Sequence, residues 1–172
     1  AAGLFAQKKV SKVLIVTDAG IAKLGLLASL TDALRRRDID YCVYSDTVPN
    51  PTIANVEAAR EMYLSHNCQA IIGFGGGSSM DCAKIAAARV ARPNMPVPKM
   101  RGILKIQRKL PLLVAVPATA GTGSETALAA VITDGDTHYK YPINDFGLIP
   151  RYAVLDPQLT VGLPRSITAT TG

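Results

Sequence analysis

A chain of 172 residues that is 48% hydrophobic holds enough apolar material for one substantial core, and one globular domain is expected. Its longest apolar runs, such as residues 70–74 and 112–116, last about five residues, against the roughly 20 that a membrane-spanning helix needs; with no export signal legible at the start, no membrane segment and a cytoplasmic location are expected. The net charge of +6 is concentrated in Arg35-Arg36-Arg37 and between residues 89 and 109, where no aromatic side chains are interleaved to stack on bases, so it reads as a solvated helix end and a basic loop rather than a nucleic-acid surface.

Along the chain, apolar runs of strand length alternate with stretches of helical period, the pattern of βαβ units around a parallel sheet. Residues 12–17 read as a first buried strand. A helix over 21–37 follows, with Ile21, Leu24, Leu27, Leu30 and Leu34 on one stripe, as a helix covering a sheet requires. A second strand fits 39–44; Pro49-Asn50-Pro51-Thr52 then breaks the chain ahead of a helix over 53–66. Residues 70–74 form a third strand running into Gly75-Gly76-Gly77, with a helix from 79 to 90 after it. The Pro- and Lys/Arg-rich stretch 92–109 has little regular signal and reads as a candidate flap. A fourth strand at 112–116 ends in the loop 118–125; a β-hairpin near 127–143 turns through Asp134-Gly135-Asp136. A last strand covers 152–155, and residues 163–172 read as the start of a further helix. Cys42, Cys68 and Cys82 lack C-x-x-C spacing and read as reduced, mostly buried thiols rather than a disulfide framework or a zinc site.

The chemistry concentrates where strands end. Gly75-Gly76-Gly77-Ser78-Ser79-Met80-Asp81 joins a strand to a helix. Glycines there let a pyrophosphate approach the backbone, and the free amides and positive end of the helix attract it. A tight turn capped by Ser and Asp is the alternative. A second polar loop, from Thr119 to Glu125, also follows a strand, and two such loops on the carboxyl edge of a parallel sheet favour a nucleotide, although Thr119 and Thr122 could be local turn chemistry. Asp18 ends the first strand, where a carboxylate can hold the adenosine ribose and repel the extra phosphate of NADP; it could equally cap the following helix. The G-x-G-x-x-G fingerprint is absent there, which disfavours a standard Rossmann dehydrogenase.

The ordered motifs Val16-Thr17-Asp18, Pro49-Asn50-Pro51-Thr52, Gly75-Gly76-Gly77-Ser78 with Asp81, Pro117-Ala118-Thr119-Ala120-Gly121-Thr122-Gly123-Ser124-Glu125 and Ala153-Val154-Leu155-Asp156-Pro157 resemble the iron-dependent (group III) alcohol dehydrogenases, with Ala118 where that family commonly has Thr. The resemblance implies a Rossmann-like, dehydroquinate-synthase-like α/β fold: an open, mostly parallel sheet with covering helices, forming an NAD-binding domain over 1–172. It implies that Asp18 selects NAD, Asn50 lies near the nucleotide, Gly75, Gly76, Gly77 and Ser78 hold the pyrophosphate and Asp81 supports that loop. Thr119 and Thr122 would line the diphosphate and nicotinamide region, Lys140 would reach the cofactor ribose, and Leu159 would pack on the adenine side. Lys140 could instead be a solvated lysine, Leu159 plain core, and Asn50 a turn former. The resemblance further implies a small alcohol or aldehyde as substrate, a homodimer, and a divalent metal, iron(II) or zinc, held only in the complete protein by a C-terminal helical domain. His66 and His138 match no ligand position of that family. A lyase half like dehydroquinate synthase, or a nucleotide-binding module without chemistry, are the alternatives.

Overall fold

The computed structural model of the chain describes residues 1–163, 165, 166 and 169. A short helix α1 (Ala2–Gln7) leads into β1 (Lys12–Val16). Helices α2 (Ala19–Lys23) and α3 (Ala28–Arg35) precede β2 (Asp40–Tyr44), and α4 (Ile53–Ser65) precedes β3 (Ala70–Gly75). Helix α5 (Gly77–Ala91) is followed by β4 (Gly102–Ile103), β5 (Leu112–Pro117), β6 (Ala129–Thr133), β7 (Lys140–Asn144), β8 (Tyr152–Ala153) and α6 (Gln158–Val161).

Five strands form a parallel sheet in the order β2-β1-β3-β5-β8. Its central strands are buried on both faces, which is why their sequences are continuous apolar runs instead of alternating ones. Side chains of period two divide them between two cores. Leu14, Val16 and Ile71 meet α4 and α5, while Val13, Ile15, Ile72, Phe74 and Val114 meet Phe5, Leu30, Leu34 and Leu159 on the other face.

A second sheet, ordered β4-β7-β6, covers the far side of α5. The helix is therefore enclosed between two layers and buried from Ser79 to Arg89 except at the half-buried Asp81, as its nearly all-round Ala-rich sequence allows. One basic residue of the expected solvated run is structural instead. Arg89 is only 8% exposed; it pairs with Glu57 at 2.5 Å and donates to the carbonyls of Arg92, Pro93 and Met95.

Three expectations are corrected. The helix foreseen over 21–37 is two helices, because Gly25 adopts φ +69° and turns the chain; Leu24, expected on the buried stripe, is 62% exposed. The stretch 92–109 is not a loose flap. It contains a 3-10 turn and β4, buries Val97, Met100 and Ile106, and is tied down by Asp145, which accepts from the Ile106 and Gln107 amides at 3.0 Å. The last strand is shorter than 152–155, pairing over Tyr152–Ala153. The helix expected from 163 falls largely outside the described residues.

Candidate functional site

From β1 the chain passes to β2 on one side and returns to β3 on the other. The connections leaving the carboxyl ends of β1 and β3 therefore diverge, and the crevice between them is where open parallel sheets bind ligands. A cleft of about 780 Å³ lies there, lined by Asp18 and Ile21 after β1, by Ser45, Asp46, Thr47, Val48 and Pro49 after β2, by Gly76, Gly77, Ser78 and Ser79 after β3, and by Thr119 and Leu163.

The floor is the start of α5. Gly75 sits at φ +132°, a conformation that side-chain-bearing residues rarely adopt, and it swings the chain so that the helix begins at Gly77, two residues before the expected position. Gly76 is the N-cap and among the described residues no side chain caps this end, leaving the amides of the first turn open to an acceptor. A Cβ at Gly76 would stand 3.6 Å from Thr119 Oγ1, and one at Gly77 would stand 3.5 Å from Thr122 Cβ. The two glycines thus leave a gap that any side chain would fill. Thr119 Oγ1 is buried with no hydrogen-bonding partner among the described residues, so a donor is already desolvated at the edge of that gap. A phosphate oxygen fits this combination of open amides, a helix dipole and an unused hydroxyl.

Asp18 uses both carboxylate oxygens. One carboxylate oxygen accepts from the Ile21 amide at 2.9 Å and caps α2; the other accepts from the Ser79 hydroxyl at 3.3 Å and joins β1 to the glycine turn. The half-buried carboxylate lines the cleft. Asn50, at φ +56°, brings its amide 3.2 Å from Ser78 Oγ, which locks the turn after β2 to the start of α5.

Asp81 lies one turn along α5 and faces the second loop. It accepts from Ser124 Oγ at 2.7 Å and from the Val131 amide at 2.9 Å, fastening the 118–125 loop and β6 to the helix. Burial raises its pKa, partly offset by these two donors and by Lys84. Lys84 is fully buried and donates to the Ala127 and Ala129 carbonyls at 2.9 Å each. Burial lowers its pKa, with Asp81 and Glu125 acting in the opposite direction. These groups position the loop that carries Thr119 and Thr122.

Of the remaining residues named from the sequence, Lys140 is exposed on β7 and Leu159 is buried in the core beneath α1 and α3; neither lines the cleft. The 45–49 wall carried no glycine signal of its own. Only its position after a strand could have disclosed it. His66 and His138 are exposed, and among the described residues no three His, Cys, Asp or Glu side chains come together in a way that could hold a metal ion. The described residues therefore do not fit a metal centre, but the cleft fits a dinucleotide. Among the described residues no helix is long and apolar enough to cross a membrane.

Residues 1–157 match the family model described as iron-containing alcohol dehydrogenase. The chain is 34% identical over 165 residues to a choline dehydrogenase of Bacillus subtilis, covering 95% of this chain and 41% of that protein. It superposes on a crystal structure of a 1,3-propanediol oxidoreductase with a TM-score of 0.94 at 30% identity, covering 99% of this chain and 44% of the other. A sulfoacetaldehyde reductase from Bifidobacterium kashiwanohense, solved in complex with NAD+, gives a TM-score of 0.86 at 30% identity, with 99% and 45% covered. In each case the chain spans less than half the length of the protein it matches.

Proposed function

Since the chain belongs to the iron-containing alcohol dehydrogenase family, we propose that it is the NAD-binding half of an enzyme that transfers hydride between NAD and a small alcohol or aldehyde. The observation that carries this is the cleft at the β1/β3 divergence, where the start of α5 and the Thr119 hydroxyl, uncapped and unpaired among the described residues, face the side-chain-free Gly76 and Gly77. When bound there, the dinucleotide supplies the hydride acceptor or donor. The chain's own residues do the holding. Amides of the α5 first turn and Ser78 receive the diphosphate, Asp18 receives the adenosine ribose, and Thr119 and Thr122 border the diphosphate toward the nicotinamide. Lys140 is assigned to the cofactor ribose and Leu159 to support of the adenine side from within the core. The oxidoreductases it matches favour hydride transfer over a lyase reaction.

The iron(II) or zinc of the complete enzyme is assigned to a helical domain outside this chain, which spans less than half the length of the proteins it matches. By the same reading the protein works as a cytoplasmic homodimer and the chain alone turns over no alcohol.

Asp18→Asn tests the cofactor assignment. Asparagine caps helices about as well as aspartate, so the fold should persist while the charge is lost. With repulsion of the 2′-phosphate removed, the NADP-to-NAD affinity ratio is expected to rise roughly tenfold, about 1.4 kcal/mol. Titration of both dinucleotides by isothermal calorimetry reads it. An unchanged ratio would confine Asp18 to capping α2, and failure of the parent chain to bind either dinucleotide would overturn the function proposed here.

A further inference from the structure

Two thiols meet on the side of the sheet that α4 covers. Cys42 belongs to β2 and pairs in register with Leu14, while Cys68 lies in the turn between α4 and β3, just ahead of Ala70, which pairs with Val13. Their sulfur atoms are 3.4 Å apart, and both thiols are free. Cys68 is buried and Cys42 half-buried, packed on the same core. The fold thus brings together two residues that lie 26 positions apart in the chain.

We propose that Cys42 and Cys68 are a hydroperoxide-sensitive dithiol, whose oxidation to a disulfide staples β2 to the α4–β3 turn. Closing 3.4 Å to the roughly 2.05 Å of a disulfide asks for rotation of side chains already in contact. The step is the usual two-electron one. The Cys42 thiolate attacks the O–O bond, forms the sulfenic acid and releases hydroxide, or alkoxide from an organic peroxide. Cys68 sulfur then displaces the sulfenic oxygen, which leaves as water with the Cys68 proton. Two thiols are oxidised and one peroxide is reduced.

The surroundings favour that order of attack. The hydrogen-bonding contact with Cys68 lowers the Cys42 thiol to about 7, and His66 and Lys12 act in the same direction while burial and Asp40 oppose them. Cys68 is raised by the same contact and by burial, so it serves as the resolving thiol. Cys82 is fully buried and pushed up to about 12 by that burial, which makes it an internal control. The segment that the bond would close, residues 43–67, holds the 45–49 cleft wall, Asn50 and all of α4. The bond would thus restrict the wall, while the start of α5 lies outside the closed segment. None of this rests on the dinucleotide assignment.

Treatment of the reduced, purified protein with hydrogen peroxide, followed by denaturation and alkylation, tests the proposal. The three alkylatable thiols of the reduced chain should fall by the Cys42–Cys68 pair and leave Cys82, with the intact mass lower by about 2 Da, one proteolytic fragment joining the pair, and full reversal by dithiothreitol. The oxidised form should melt several degrees higher, since the closed segment restricts the unfolded chain. Cys68→Ser should instead leave a Cys42 sulfenic acid that dimedone traps. Retention of all three thiols, advance of Cys42 to sulfinic acid without a crosslink, or a crosslink that leaves the melting temperature unmoved would overturn the proposal.

Discussion

Valine in place of Gly77 is expected to weaken NAD binding about a hundredfold, or ~2.7 kcal/mol, while the chain stays folded. Gly77 is helical and not at positive φ, so a branched residue meets no backbone strain there, and its Cβ would make ordinary contact with Thr122 at 3.5 Å. What valine removes is the space through which an anion reaches the first amides of α5. Gly75 is a poorer choice for this test. A Cβ there would come 3.0 Å from Ser79 Oγ and 3.3 Å from Asp18 Oδ2 at φ +132°, and damage to the fold would mask any effect on binding. Circular dichroism and calorimetry on Gly77→Val separate the two. A folded variant with parental affinity would falsify the phosphate assignment.

Alanine at Asp81 should cost about 3 kcal/mol of stability, seen as a melting temperature lower by roughly 6–12 °C. It strands the Val131 amide and the Ser124 hydroxyl and removes the carboxylate facing buried Lys84. The pH dependence of the loss has a definite sign. Asp81 has a folded-state pKa above the ordinary carboxylate value, so its contribution is fully present below the unfolded value. It declines as pH rises from there through the raised folded value. The stability gap between parent and Asp81→Ala should therefore be widest near pH 4 and narrower at neutrality. Denaturant titrations at the two pH values measure it; a gap that widens with pH would contradict burial as the dominant influence on this carboxylate.

Much of the fold could be read from the chain because its causes are local. The 13–16 run announces a strand buried on both faces, and Thr52 with Asn55 forms the capping box that starts α4. The break between α2 and α3 was hidden for a physical reason. Ile21, Leu24, Leu27, Leu30 and Leu34 keep helical spacing straight through Gly25, and the positive φ that ends the helix leaves no trace in the pattern. The site divides in the same way. Asp18, Gly76, Gly77 and Ser78 were legible as strand-end residues beside glycine. The Ser45–Pro49 wall and the Cys42–Cys68 contact arise only because β2 and β3 flank β1, which is a property of strand order rather than of any short motif. Leu159 shows the converse: its apolar character says that it is buried, not that it borders a ligand.

Enclosure of α5 between two sheets has a consequence for how the molecule comes apart. Backbone amides exchange with solvent from whichever segments open most easily, and those are segments with one face in water. Packed against β3 and β5 on one side and β6 on the other and buried over most of Ser79 to Arg89, α5 can expose its interior amides only by parting the layers, so its protection should track the global unfolding equilibrium. Residues 77–79 begin that helix, and the floor of the cleft is therefore anchored in the last part of the molecule to open. Sub-global fluctuations of the 45–49 wall or the 118–125 loop can admit and release a ligand while the floor stays in place.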